Sequence, residues 1–175
     1  MQPDMENLKK KIQENRDIID RIAVGLPGFS GYVEKTELYE ADRIIREHMA
    51  ERLQRMKVAL NRSAGDALKQ GRTDSLQDFE SVDVMLERIY KKCRYAEYAS
   101  GAGLSSVKIN EDDQNRLLEY DWRMISCMDE CESIAAQAGG AAQEMTAETI
   151  NTLKHKLADF ESSLDKRKYV ILEVI

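Results

Sequence analysis

Apolar residues recur along this chain at three- and four-residue spacing, and five helical segments follow from that pattern. The first runs roughly from Asp4 to Val24, with Leu8, Ile12, Ile18, Ile19 and Ile22 on one face. Asp4 suits its N-cap, Gly25 its left-handed closing position, and Pro27 follows where a helix must have ended. The second spans Val33 to Gln70 with the stripe Leu38, Ala41, Ile45, Met49, Leu53, Met56, Leu60, Ala64 and Ala67. At 1.5 Å per residue it is about 55 Å long, enough that a bend near Ser63, Ala64 and Gly65 is expected. A turn at Gly71-Arg72-Thr73-Asp74 leads to a third helix from Ser75 to Ser100, lined by Phe79, Val82, Leu86, Ile89, Cys93 and Ala96. Residues 101 to 110 form the longest expected loop. The fourth helix begins near Asn110, carries Glu111, Asp112 and Asp113 where the helix dipole favours acids, and stops at Gly139-Gly140. Leu117, Met124, Met128, Cys131 and Ala135 are its stripe. The fifth opens at Thr146 as N-cap, and Ile150, Leu153, Leu157, Phe160 and Leu164 follow a seven-residue repeat.

Such stripes are buried only by packing on one another, and short connections favour antiparallel neighbours. The expected fold is therefore all-α, an antiparallel bundle of four to five helices with a long second helix. At 175 residues the chain suits one domain. Within it, residues 1–32 form the N-terminal helix and a Gly-rich corner, 33–168 the bundle, and 169–175 an apolar tail. Composition agrees. Apolar residues make up 42% and charged residues 33%, and the two prolines, Pro3 and Pro27, leave everything after residue 28 free of proline breaks. Glycines cluster at 25–31, 101–103 and 139–140, which marks connections.

A formal net charge of −6 argues against general nucleic-acid binding, which needs a basic face. Charge is unevenly spread: residues 43 to 72 hold eight Lys/Arg against three Asp/Glu, and residues 111 to 132 hold eight Asp/Glu against two Arg. The simplest reading makes the second and fourth helices neighbours; the other is that one of them offers a charged face to a partner. No apolar run approaches the roughly 20 residues of a membrane span, and the N-terminus shows no secretory pattern. Three cysteines, Cys93, Cys127 and Cys131, then read as reduced thiols in a cytoplasmic protein.

Chemistry is sparse. A di-iron bundle needs Glu three residues before His on two helices, but Ile45 and Thr152 stand there before His48 and His155. Cys127 and Cys131 share a helix face yet make only half of a structural zinc set, and Cys131 lies on an apolar stripe. Neither histidine has a visible catalytic partner. The segment Gly25 to Tyr32 reads as an anion cradle on backbone N–H groups or as a tight corner plugged by Phe29 and Tyr32. Packing is the preferred reading in each case. The end of the chain joins Lys166, Arg167 and Lys168 to Tyr169–Ile175, and either touches an anionic membrane surface or folds back on the core.

Two stretches carry a resemblance. One is Leu26-Pro27-Gly28-Phe29-Ser30-Gly31-Tyr32 with Glu34-Lys35, Asp42-Arg43 and Arg46-Glu47. The other is Tyr95 to Gly101, then Val107-Lys108-Ile109 and Leu117 to Asp121. Over roughly residues 5 to 135 the chain resembles a family of small prokaryotic helical proteins without an established activity. The resemblance implies a helical fold and transfers no site. It directs attention to Gly28, Gly31, Tyr32, Asp42, Arg43, Arg46, Tyr98, Tyr120 and Asp121 as a candidate interaction or structural network. Pairing of Tyr120 and Asp121 with an arginine of the second helix is the specific expectation. No catalytic residue, metal or cofactor is expected. The function expected is protein–protein contact, as adaptor, scaffold or self-associating subunit, with an unidentified protein partner or a homo-oligomer and no nucleic acid. The alternatives are peripheral membrane association, and a small-ligand or metal-binding bundle.

Overall fold

A computed structural model describes residues 5–29, 31–32, 35–71, 73, 76–95, 109–139 and 146–174. Among the described residues the fold is all-α. Five helices follow in order: α1 (Met5–Gly25), α2 (Lys35–Lys69), α3 (Leu76–Tyr95), α4 (Glu111–Gly139) and α5 (Ala147–Val174). The expected loop at 101–108, together with Asp4, Ala96 and Tyr98, lies outside the described residues, as do the side chains of Leu8 and Ile12.

The stripes become cores. Ile45, Met49, Leu53, Leu86, Ile89, Leu117, Met124, Met128, Ile150, Leu153, Leu157 and Phe160 are all essentially sealed from solvent. Ala64 is the exception on the α2 stripe and is only half-buried. Caps set the helix starts. The Asn110 side chain accepts from the Asp113 N–H at 2.8 Å, and the Thr146 hydroxyl accepts from the Thr149 N–H at 3.1 Å. Each satisfies an amide that the helix itself leaves unpaired. α2 runs unbroken through Ser63, Ala64 and Gly65.

Packing groups the chain into two compact units. Unit 1 comprises residues 1–45, 98–123 and 167–175; unit 2 comprises residues 46–97 and 124–166. Ion pairs give the helix directions inside each. In unit 2, Arg46 reaches the Cys93 carbonyl, Lys57 pairs with Glu87 and Asn61 with Asp83, so α2 and α3 are antiparallel. Lys154 with Asp78, Arg88 with Glu161 and Lys92 with Asp165 make α3 and α5 parallel neighbours instead. α3 and α5 are not joined directly, and alternate helices of an antiparallel bundle point the same way. Arg52 of α2 pairs with both Asp129 and Glu132 of α4, at 2.5 and 2.7 Å, so the basic and acidic blocks meet as neighbours there. In unit 1, Asp121 with Arg167 and Arg116 with Glu173 make α4 and α5 antiparallel.

Two local expectations change. The apolar tail is helix: α5 continues to Val174, with Val170 and Ile171 buried. Burial of these side chains offsets the weak helix propensity of β-branched residues, which amounts to only tenths of a kcal/mol each. At the first corner the left-handed positions are Gly28 and Gly31, at φ 92° and 89°, whereas Gly25 remains in the helix. The chain turns with the Phe29 N–H on the Leu26 carbonyl at 3.1 Å, and Phe29 meets Tyr32 edge to face at 5.6 Å. At Gly31 a methyl group would also stand 3.3 Å from Ile19 Cδ1. Gly31→Ala is therefore expected to destabilise by at least the 1–2 kcal/mol or so of a left-handed L-residue. Urea denaturation measures it, and an unchanged midpoint would show that the corner tolerates a side chain.

Candidate functional site

Three charged residues occupy positions that the apolar stripes reserve for the core. Asp42 falls between Leu38 and Ile45 on α2, and Asp121 between Leu117 and Met124 on α4. Arg167 follows Leu164 and precedes Ile171 in the seven-residue repeat of α5. Helical periodicity turns all three side chains inward. Unit 1 brings them together with Tyr32, which Gly28 and Gly31 deliver from the corner.

The geometry is that of a closed hydrogen-bond circuit. Arg167 Nε donates to Asp121 Oδ1 at 2.5 Å, Nη1 donates to Asp42 Oδ1, and Nη2 donates to the Tyr32 hydroxyl at 3.1 Å. Tyr32 in turn donates to Asp121 Oδ2. Relative exposure is 0% for Arg167 and Asp121, 1% for Tyr32 and 2% for Asp42. Removing such charges from water costs several kcal/mol per ion, so the arrangement persists only because each group finds partners.

Burial dominates the proton affinities. It pushes the Asp121 carboxyl above the usual aspartate value, against the pull of the Arg167 charge. Burial, followed by the Asp121 charge, holds the Tyr32 phenol well above its ordinary value. The guanidinium stays charged under any such conditions. Folding thus raises the proton affinity of both groups.

Of the sequence candidates, Gly28, Gly31, Tyr32, Asp42 and Asp121 gather in unit 1. Arg43 lies in unit 1 too, and its guanidinium pairs with Glu40 one turn back. Arg46 belongs to unit 2, where Nη1 donates to the Cys93 carbonyl at 3.0 Å in the last turn of α3. That carbonyl belongs to the set a helix end leaves without an intrahelical partner. Tyr120 is half-buried beside the stripe, and Tyr98 lies outside the described residues. The arginine that meets Asp121 comes from α5 and not from the second helix, which contributes Asp42 instead. In the tail sequence Arg167 stands as one of three cations, between Lys166 and Lys168. Its signal was present in the sequence: extending the α5 repeat one step past Leu164 lands on it.

The remaining chemistry is quieter. Cys131 is buried, and the half-buried Cys127 thiol donates to the Lys156 carbonyl at 3.7 Å. A hydrogen bond between the two thiols lowers the Cys127 pKa and raises that of Cys131. Burial, followed by Arg52 and Arg55, holds the His48 imidazole below its usual value. Among the described residues no group of three or more His, Cys, Asp or Glu is placed to hold a metal ion. No described helix is long and apolar enough to cross a membrane. A groove of about 390 Å³ in unit 2 is lined by Glu47, Glu51, Arg55, Tyr90 and Arg94, which offer both charges and select neither. Comparison with known proteins finds no matching family model, no matching curated protein and no matching solved structure.

Proposed function

We propose that this protein works through contacts with other proteins, as an adaptor, a scaffold or a self-associating subunit. The observation that carries the reading is the sealing of Tyr32, Asp42, Asp121 and Arg167. Each is at most 2% exposed, so no dissolved substrate meets this cluster of ionisable groups. Buried polar networks of this kind specify packing. What the chain offers to its surroundings includes large apolar side chains on helix exteriors. In unit 2 these are Val58, Leu68, Val84 and Tyr95, and in unit 1 Val24, Tyr39, Tyr169 and Leu172.

Light scattering over a range of concentrations, paired with chemical cross-linking in native extract, tests the proposal. A solution mass above the 20.0 kDa of one chain, or a partner recovered in stoichiometric amount, is expected. A strict monomer that cross-links to nothing overturns it.

A second reading, peripheral association with an anionic membrane surface, rests on exposed Lys168, Tyr169 and Leu172 along the last turns of α5. It has one cation fewer than the tail sequence suggests, because Arg167 turns inward. Sedimentation with anionic liposomes, comparing the full chain with the double change Tyr169→Ser and Leu172→Ser, separates the readings without disturbing the buried cluster. Equal sedimentation of the two removes the membrane reading.

A further inference from the structure

Unit 2 holds a pair of thiols that the reading above leaves unused. Cys127 and Cys131 stand one turn apart on the face of α4 that meets α5. Cys131 is sealed at 0% exposure, whereas Cys127 is only half-buried and gives the pair an open side. A hydrogen bond joins the two sulfurs. The Cys127 sulfur also lies 3.7 Å from the Lys156 carbonyl of α5. The Lys156 ammonium returns to α4 and pairs at 2.5 Å with Glu130, which stands between the two cysteines in sequence.

Helix geometry decides what two such thiols can share. Cβ atoms one turn apart on a helix are about 5–6 Å from each other. A disulfide needs them at about 3.5–4.5 Å, so forming one would unwind α4. A cation bonded to each sulfur at about 2.3 Å spaces the sulfurs by up to about 4.6 Å, which the helix accommodates through a small rotation at Cys127. Ligand number then narrows the cation. Structural zinc and iron–sulfur clusters take four ligands. Among the described residues no third His, Cys, Asp or Glu joins the pair in a metal-holding group. Calcium and magnesium take oxygen ligands. What remains is a soft cation satisfied by two thiolates, and thiolates select cuprous copper.

We propose that Cys127 and Cys131 form a two-coordinate binding site for a cuprous ion. Binding replaces two S–H bonds by two Cu–S bonds, both protons pass to water, and no electron is transferred. Two thiolates and one Cu(I) leave a single net negative charge. The Lys156 ammonium attracts that charge, while Glu130 on α4 and Asp159 on α5 oppose it. The cation enters from the side of Cys127, and the buried Cys131 sulfur closes the site from within.

The test uses the full chain, reduced and kept free of oxygen, titrated with cuprous ion against a chromogenic Cu(I) chelator. The unaltered chain is expected to retain one ion, and X-ray absorption at the copper edge should show two sulfur neighbours. Cys127→Ser changes a half-buried position by a single atom and is expected to abolish retention while circular dichroism stays that of the unaltered chain. Cys131→Ala should abolish it as well; if that variant does not fold, Cys127→Ser decides alone. Surrender of all the copper to the chelator by the unaltered chain overturns the proposal. Retention by Cys127→Ser equal to that of the unaltered chain, or a copper with three or more sulfur neighbours, does the same.

Discussion

Arg167→Ala should lower the stability of the protein by about 3–5 kcal/mol, the cost typical of breaking a buried ion pair from one side. The change removes the donors to Asp121, Asp42 and Tyr32 together and leaves the sealed Asp121 carboxyl without the guanidinium it faces. That is a large part of the roughly 5–15 kcal/mol that holds a typical domain folded. The chain's single tryptophan, Trp122, lies in unit 1 with the Arg21 guanidinium 5.6 Å from its ring centroid, so its fluorescence reports on the affected unit in a urea titration. The companion experiment replaces the three charges together by Asp42→Leu, Asp121→Leu and Arg167→Met. That triple change is expected to restore most of the loss, because the penalty of the single change lies in the stranded charges. A single change worth less than about 1 kcal/mol would mean that water reaches the cluster and screens it.

The second large effect lies in unit 2. Phe160 is fully buried on the α5 stripe between Leu157 and Leu164. Phe160→Ala removes a ring from a close-packed interior and leaves a cavity that the surrounding helices fill only in part. The expected loss is about 3–5 kcal/mol. Urea denaturation followed by circular dichroism measures it, with Phe160→Leu as the milder comparison. A loss for Phe160→Ala no larger than that for Phe160→Leu would show that the core collapses around the missing ring. The two predictions differ in kind. At Phe160 the size of the void sets the loss, and at Arg167 the charges left behind set it, so apolar rescue is expected only for Arg167.

Several side chains show where local sequence was sufficient. Asn110 and Thr146 cap α4 and α5 because a short side-chain acceptor ahead of an amphipathic run satisfies the first free amides. Met124, Met128 and Cys131 face the core because they recur with the helix period. Other residues were read differently from how they sit. The end of α5 looked like a tail because Val170, Ile171 and Val174 are weak helix formers taken one at a time, yet burial of Val170 and Ile171 keeps them helical. Gly25 looked like the left-handed residue because it closes the α1 pattern, whereas the corner takes its positive φ at Gly28 and Gly31.

Helix class, helix order, the caps and the buried stripes were determined by the sequence alone, because each depends on contacts within a few residues. The charges at core positions could be read there as well: Asp42, Asp121 and Arg167 all stand on the stripes. Only the tertiary structure decided that those three close on one another and on Tyr32, and that α3 and α5 run parallel. The reason is physical. Periodicity states which way a side chain faces, whereas the identity of its partner depends on which helices are neighbours and at what level. In this chain that choice joins residues up to 135 positions apart.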